Sequence, residues 1–128
     1  PVEVFKHIKK LRFFLLDRAY KTVENEEMYS WYVDQLVNRH VLLPSGEVTI
    51  QNRGNPSGQI STTMDNNMVN TFLQAFEFAY VHPFYDDEKL DIEWSNCDTL
   101  VYGDDRISSW PSFPPNYVDT VVDMYKNV

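Results

Sequence analysis

Two stretches of this 128-residue chain carry side chains whose types and spacing could do chemistry. The first is "TLVYGDDRIS", residues 99–108, an apolar run that stops at a glycine and two adjacent aspartates and then resumes. Strand interiors are poor in Asp, and like charges side by side repel. The pair is therefore either an ordinary polar turn or a place that needs concentrated negative charge. The second stretch is "NPSGQISTTMDNNMVN", residues 55–70. On a helical wheel Thr62, Asn66 and Asn70 stand one turn apart, away from the side that carries Met64, Met68 and Phe72. Amides and hydroxyls compete with the backbone for hydrogen bonds and are mediocre helix formers. A row of them near the start of a well-buried helix has two readings. It is a capped, half-exposed helix start, with Ser61 or Thr62 as the cap, or a surface that recognises hydroxyl groups on a ligand.

The elements that must position these residues follow from periodicity. Val4, Ile8, Leu11 and Leu15 recur at helical spacing and predict a helix over about 2–19. "ENEEMYSWYVDQLVNRH" repeats the pattern through Tyr29, Val33, Leu36 and His40, with acids at its start, where a helix dipole favours them. His40 reads as a core or boundary histidine, and His7 and His82 stand isolated, with no zinc-like Cys/His spacing. "VLLPSGEVTIQN" predicts strand, turn, strand, and "RGNPSGQ" a loop. A long helix is expected from Ile60 to about Val81, with Met64, Met68, Phe72, Ala75, Phe76 and Ala79 along its apolar side. "HPFYDDEKLD" lacks the spacing of an EF-hand and reads as a solvated loop. Strands at 97–102 and 106–110 are joined by Gly103-Asp104-Asp105, and "NYVDTVVDMYKNV" begins a final helix. The fold class is α+β, antiparallel hairpins packed on helices.

Composition narrows the function. Apolar content is that of a globular chain, and no apolar run approaches a membrane span, so no transmembrane segment is expected. The lone Cys97 is expected to be a buried, inert thiol, which fits a reducing compartment. A net charge of −8 argues against this surface alone gripping phosphates. It leaves room for acids that hold metal ions. The chain begins at Pro1 inside one helical pattern and stops inside another, and is expected to be a segment of a longer protein.

The two stretches taken together carry a resemblance. Ser57-Gly58, Thr62 five residues after that serine, Asn66 nine after it, and then a strand–Tyr102-Gly103-Asp104-Asp105–strand hairpin resemble motifs B and C of the RNA-dependent RNA polymerases of positive-strand RNA viruses. Motif B falls at about 54–70 and motif C at about 98–109. The string "NRGNPSGQISTTMDNNMVN…LQAFEFAY…VYGDDR" looks like the astrovirus branch, and the resemblance covers residues 1–128 as a single partial domain.

That resemblance implies a partial palm subdomain of a right-hand polymerase, taking part in template-directed nucleotidyl transfer with two divalent ions, magnesium or manganese. Hard cations want oxygen ligands. Asp104 is the implied principal ligand and Asp105 an accessory one, acting through water. Ser57 and Gly58 fall in a loop that moves during nucleotide selection and translocation. Asn66, helped by Thr62, matches the residue that senses the ribose 2′-hydroxyl. The implied partners are RNA template and nascent strand, nucleoside triphosphates, and the remaining polymerase subdomains, fingers and thumb. The implied location is the host cytoplasm, at replication complexes on membranes.

The motif A aspartate and the fingers are not found in this segment, which is expected to be inactive by itself. In the family the resemblance points to, the motif D lysine, a proposed general acid for pyrophosphate, lies beyond the helix that follows motif C; Lys126 lies within that helix and is not expected to inherit the role. A reverse transcriptase palm also carries two aspartates in a hairpin, but the Ser-Gly…Thr…Asn helix points to RNA synthesis. The alternative from another class is a non-catalytic metal-binding or protein-interaction domain with a palm-like fold. An Asp-x(4 or 5)-Asp pattern immediately upstream separates the two.

Overall fold

In the computed structural model, which describes residues 1–127, the first helix, α1, spans Val2–Phe14. It ends short of residue 19 because Asp17 turns its carboxylate onto the Ala19 amide at 2.8 Å and opens a separate 3-10 turn, Arg18–Tyr20. A short acid that bonds its own backbone offers the chain an alternative to the helix ladder. Thr22 caps α2, Val23–Val37, by accepting from the Asn25 amide at 3.2 Å, and Glu24 and Glu26 occupy its first turn. Phe5 and Ile8 of α1 and Val33 and Val37 of α2 are the buried apolar side chains of a first compact unit, Pro1–Asp65. Burial of each contributes about 1.5–3 kcal/mol.

Helix α2 does not reach His40. Asn38 leaves helical dihedrals at φ −127°, ψ 85°, and His40 lies exposed in strand β1, Arg39–Leu42, opposite Ile50 of β2, Val48–Gln51. It is neither a core nor a boundary histidine. The antiparallel hairpin satisfies the backbone in place of the helix, and Arg39 fastens it. The Arg39 guanidinium donates to the Leu36 carbonyl (2.7 Å), the Gln51 side chain (2.8 Å) and the Gly54 carbonyl (3.0 Å).

The charged centre of this unit is Asp65, fully buried near the start of α3, Thr62–Val81. Lys9 lies 2.6 Å from one carboxylate oxygen and Arg12 2.5 Å from the other, while Gln59 and Ser61 donate at 2.9 and 3.0 Å. Lys9 is itself buried, with the Phe5 and Tyr32 rings 5.4 and 5.0 Å from its ammonium. Burial alone would push the Asp65 carboxyl up; the hydrogen bonds from Lys9 and Arg12 outweigh it and hold the group below the ordinary carboxylate range.

The second compact unit begins at Asn66. After α3 comes α4, Asp87–Trp94, where a solvated loop was expected. The acids that suggested a loop are helix-start acids: Asp86 accepts from the Lys89 amide at 2.9 Å, and Asp87 and Glu88 fill the first turn. Strands β3, Asp98–Tyr102, and β4, Asp105–Ser109, follow, then α5, Tyr117–Lys126. Phe78, Val81 and Trp110 form the buried cluster, with Leu90, Trp94, Cys97, Tyr117 and Val121 packed on it. Phe78 meets the Trp110 ring edge-on at 5.2 Å. Cys97 is half-buried; burial, and then the carboxylates of Glu93 and Asp98, push its thiol pKa up and keep it protonated. The whole is a mixed helix and hairpin fold. No helix among the described residues is long and apolar enough to cross a membrane.

The largest departure from expectation is the orientation of α3. Met64, Phe72 and Phe76 are 57%, 42% and 41% exposed, and Ala75 and Ala79 are exposed too. Asn70, Gln74 and Glu77 are buried instead. The polar side goes inward because it finds partners there: Ser108 donates to Gln74 at 2.8 Å, and Arg106 pairs with Glu77. The Gln74 amide nitrogen is left without a partner among the described residues.

The Asp65 cluster sets a first expectation. Asp65→Asn strands two cations, one of them buried, and is expected to cost about 3–5 kcal/mol, read as a lowered denaturation midpoint. The carboxyl is held below its unfolded value, so its contribution is present above about pH 3.9 and is lost as pH falls through the lower folded value. In Asp65→Asn that acid-range loss is expected to shrink.

Candidate functional site

Strands β3 and β4 pair antiparallel from Asp98 opposite Ser109 to Tyr102 opposite Asp105, which leaves only Gly103 and Asp104 for the turn. Two-residue hairpin loops of the primed types match strand twist, and they want glycine where φ is positive. Gly103 has φ +64°. Asp104 stands at the exposed tip, whereas Asp105, expected in the turn, is the first residue of β4. Residues opposite one another share a face, so Asp105 lies with Tyr102, Leu100 and Ile107 on the exposed face. Arg106 and Ser108 face α3.

Helix α3 reaches the turn through two amides. The Asn67 oxygen accepts from the Gly103 amide at 2.6 Å. The Asn70 side-chain nitrogen lies 3.3, 3.1 and 3.5 Å from the carbonyl oxygens of Gly103, Asp104 and Asp105. Asn66, Asn70, Leu73 and Glu77 of α3 then line an open groove of about 360 Å³ with Asp104, Arg106 and Tyr125. At the far end of this row Glu77 accepts from Tyr125 at 2.5 Å and Tyr117 at 3.3 Å, besides its ion pair with Arg106. Burial, then the hydrogen bond to Glu77, pushes the Tyr125 phenol well above its usual range. Burial would lower the Arg106 pKa, but the bond to Glu77 raises it, so that charge is committed to Glu77.

The carboxylates of Asp104 and Asp105 are exposed, and among the described residues neither has a side-chain hydrogen bond or ion pair. Their donor chemistry, hard anionic oxygen, fits magnesium or manganese. As ligands they would be only part of a set: among the described residues no group of three or more His, Cys, Asp or Glu side chains comes together.

Within the first unit, Ser57 and Gly58 form the exposed tip of a short loop, with Gly58 at φ +81°. Thr62 closes it. Its hydroxyl lies 2.6 Å from the Pro56 carbonyl oxygen and 3.0 Å from that of Gln59, so it donates back to the loop instead of capping a helix amide. Asn55 supports the base by donating to the Thr62 carbonyl at 3.3 Å.

Motif spacing pointed to Asp104, Asp105 and Asn66, and missed Asn67. The only signal for it was a run of asparagines on a helix that otherwise has no use for them. Glu77 and Arg106 gave no signal, since a charged pair 29 residues apart has no local signature.

Comparison with known proteins places the chain in a family. Residues 3–128 match the family description "Viral RNA-dependent RNA polymerase". The chain is 56% identical over its full length to the non-structural polyprotein 1AB of ovine astrovirus 1, of which it covers 10%. It is 53% identical to the polyprotein of human astrovirus-5, covering 9% of it, and 44% to that of turkey astrovirus 2, covering 8%, again over the whole chain. The chain therefore spans about a tenth or less of the relatives it matches. No solved structure matches it.

The turn geometry carries its own expectation. A Cβ on Gly103 would meet nothing within 4 Å, so the cost of Gly103→Ala is conformational, about 1–2 kcal/mol for an alanine in the left-handed region. Denaturation of this variant against the parent measures it.

Proposed function

The chain belongs to the viral RNA-dependent RNA polymerase family, and on that premise we propose that it is the part of the palm that carries motifs B and C in template-directed RNA synthesis. The observation that carries the reading is the adjacent carboxylate pair, exposed and without side-chain partners among the described residues, with Asp104 on a groove that Asn66 also lines. Asp104 is the principal metal ligand and Asp105 the accessory one. Two magnesium or manganese ions bound there would supply positive charge to an attacking oxygen and a leaving phosphate. The chain's own part is to hold hard oxygen donors at a fixed tip and to present an amide beside them.

Asn66 is proposed to read the ribose 2′-hydroxyl, the group that separates RNA precursors from DNA precursors. Thr62 assists from the start of α3 by holding the loop that ends in Ser57 and Gly58. That loop, with glycine at a positive φ, has the backbone freedom to move as nucleotides are selected. RNA template, nascent strand and nucleoside triphosphates are the proposed partners. With a net charge of −8 here, the cations that neutralise their phosphates must come from other subdomains, the fingers and thumb. Polymerisation is accordingly assigned to the full-length protein and not to these 128 residues.

In the full-length polymerase Asp104→Ala is expected to reduce nucleotide incorporation by about 100-fold or more, because phosphate charge is left unneutralised. Asp105→Asn is expected to cost less and to alter the preference between magnesium and manganese. Near-parental rates in a folded Asp104→Ala enzyme would sink the assignment. For sugar choice the readout is the ratio of catalytic efficiencies with ribo- and deoxyribonucleotides. Asn66→Ala is expected to lower that ratio by about 1–3 kcal/mol equivalent, the cost of an unpaired polar group. An unchanged ratio would leave Asn66 with a structural role only.

A further inference from the structure

We propose that Asn67 and Asn70 are positioning residues that set Asp104 for metal binding by clamping the backbone on either side of it, an inference that rests on reading Asp104 as a metal ligand. The two amides point in opposite chemical senses, and their partners force this. A backbone N–H only donates, so the Asn67 group at 2.6 Å from the Gly103 nitrogen is its oxygen. Carbonyl oxygens only accept, so the Asn70 group facing those of Gly103, Asp104 and Asp105 is its NH2. One amide takes the Gly103 N–H, and the other gathers the carbonyls of the turn.

The Asp104 carboxylate has no side-chain partner of its own among the described residues and stands at the exposed end of a two-residue turn. What locates it is therefore its backbone, and the side chains fastening that backbone come from α3. Asn70 is only 9% exposed, so water competes little for its bonds. The clamp residues sit one and four positions after Asn66 on the same helix. The element that carries the proposed sugar-reading amide thus also sets the place of the proposed metal ligand.

The test is binding of Mn2+ alone to the full-length polymerase, without RNA or nucleotide, followed by the paramagnetic resonance signal of the free ion. Asn70→Asp replaces the donor with an acceptor facing carbonyl oxygens, and Asn67→Leu removes the acceptor. Each is expected to weaken Mn2+ binding about ten- to a hundredfold, the usual consequence of losing a group that orients a metal ligand. Asn67→Asp keeps an oxygen for the Gly103 amide and is expected to recover most of what Asn67→Leu loses. Asn67→Asp and Asn70→Asp add the same charge three residues apart, and repeating the titration at high salt screens its distance-dependent contribution, leaving the effect of the lost hydrogen bond. Asn70→Ala, which deletes the donor without adding charge, stands in where Asn70→Asp does not fold. Parental affinity in the clamp variants, or Asn67→Asp no better than Asn67→Leu, overturns the clamp while Asp104→Asn binds weakly. Parental affinity in Asp104→Asn itself overturns the metal reading beneath it.

Discussion

A carboxylate cannot be taken out of water alone, and α3 carries two that are fully buried. Asp65 draws Lys9 and Arg12 from α1, together with Gln59 and Ser61 from the loop before the helix. Glu77 draws Arg106 from β4 and two phenols from α5. Such clusters are costly if half made and specific when complete, because each partner has a required direction as well as a distance. Apolar contact is non-directional and would let a hairpin slide along a helix by a residue with little penalty. In the second unit the row Asn67, Asn70, Gln74, Glu77 meets Gly103 through Arg106 and Ser108 with named atoms at each step. The turn that carries Asp104 is therefore located by hydrogen bonds more than by oil.

Local patterns were legible wherever the physics is local. The glycine followed by aspartate between two apolar runs marked the hairpin, and acids before a periodic stretch marked α2. The same rule applied to "DDEKL" would have found α4, since Asp86 caps it and its first turn is acidic. What hid it was a weak apolar face: none of its residues is fully buried. His40 was misplaced because a helical spacing can persist by chance into a strand, and only pairing with Ile50 across the hairpin decides the matter.

The orientation of α3 was legible only in half. Its sequence holds two periodic rows, one of Met and Phe and one of Asn, Gln and Glu. Hydrophobicity ranks the first as the inner one. Whether the second can be buried depends on donors 34 and 29 residues away, at Ser108 and Arg106, and no local pattern reports those. The structure brings Asp104 and Asn66 to one groove, and with Asp105 they were singled out by type and order. The amides that hold the turn were not, because their partners are backbone atoms, which every residue has.

A helix that turns its polar row inward diverges by different rules from one that buries aliphatics. In an aliphatic core, Ile gives way to Val or Leu singly, each step costing about 1 kcal/mol and leaving the neighbours intact. At Glu77 no single step is comparable, because one replacement strands a guanidinium and two phenols together. The viable routes pass through paired changes on α3 and β4 or α5, so the effects of substitutions at these positions are strongly non-additive. For a chain copied with errors, these residues are locked to one another by epistasis.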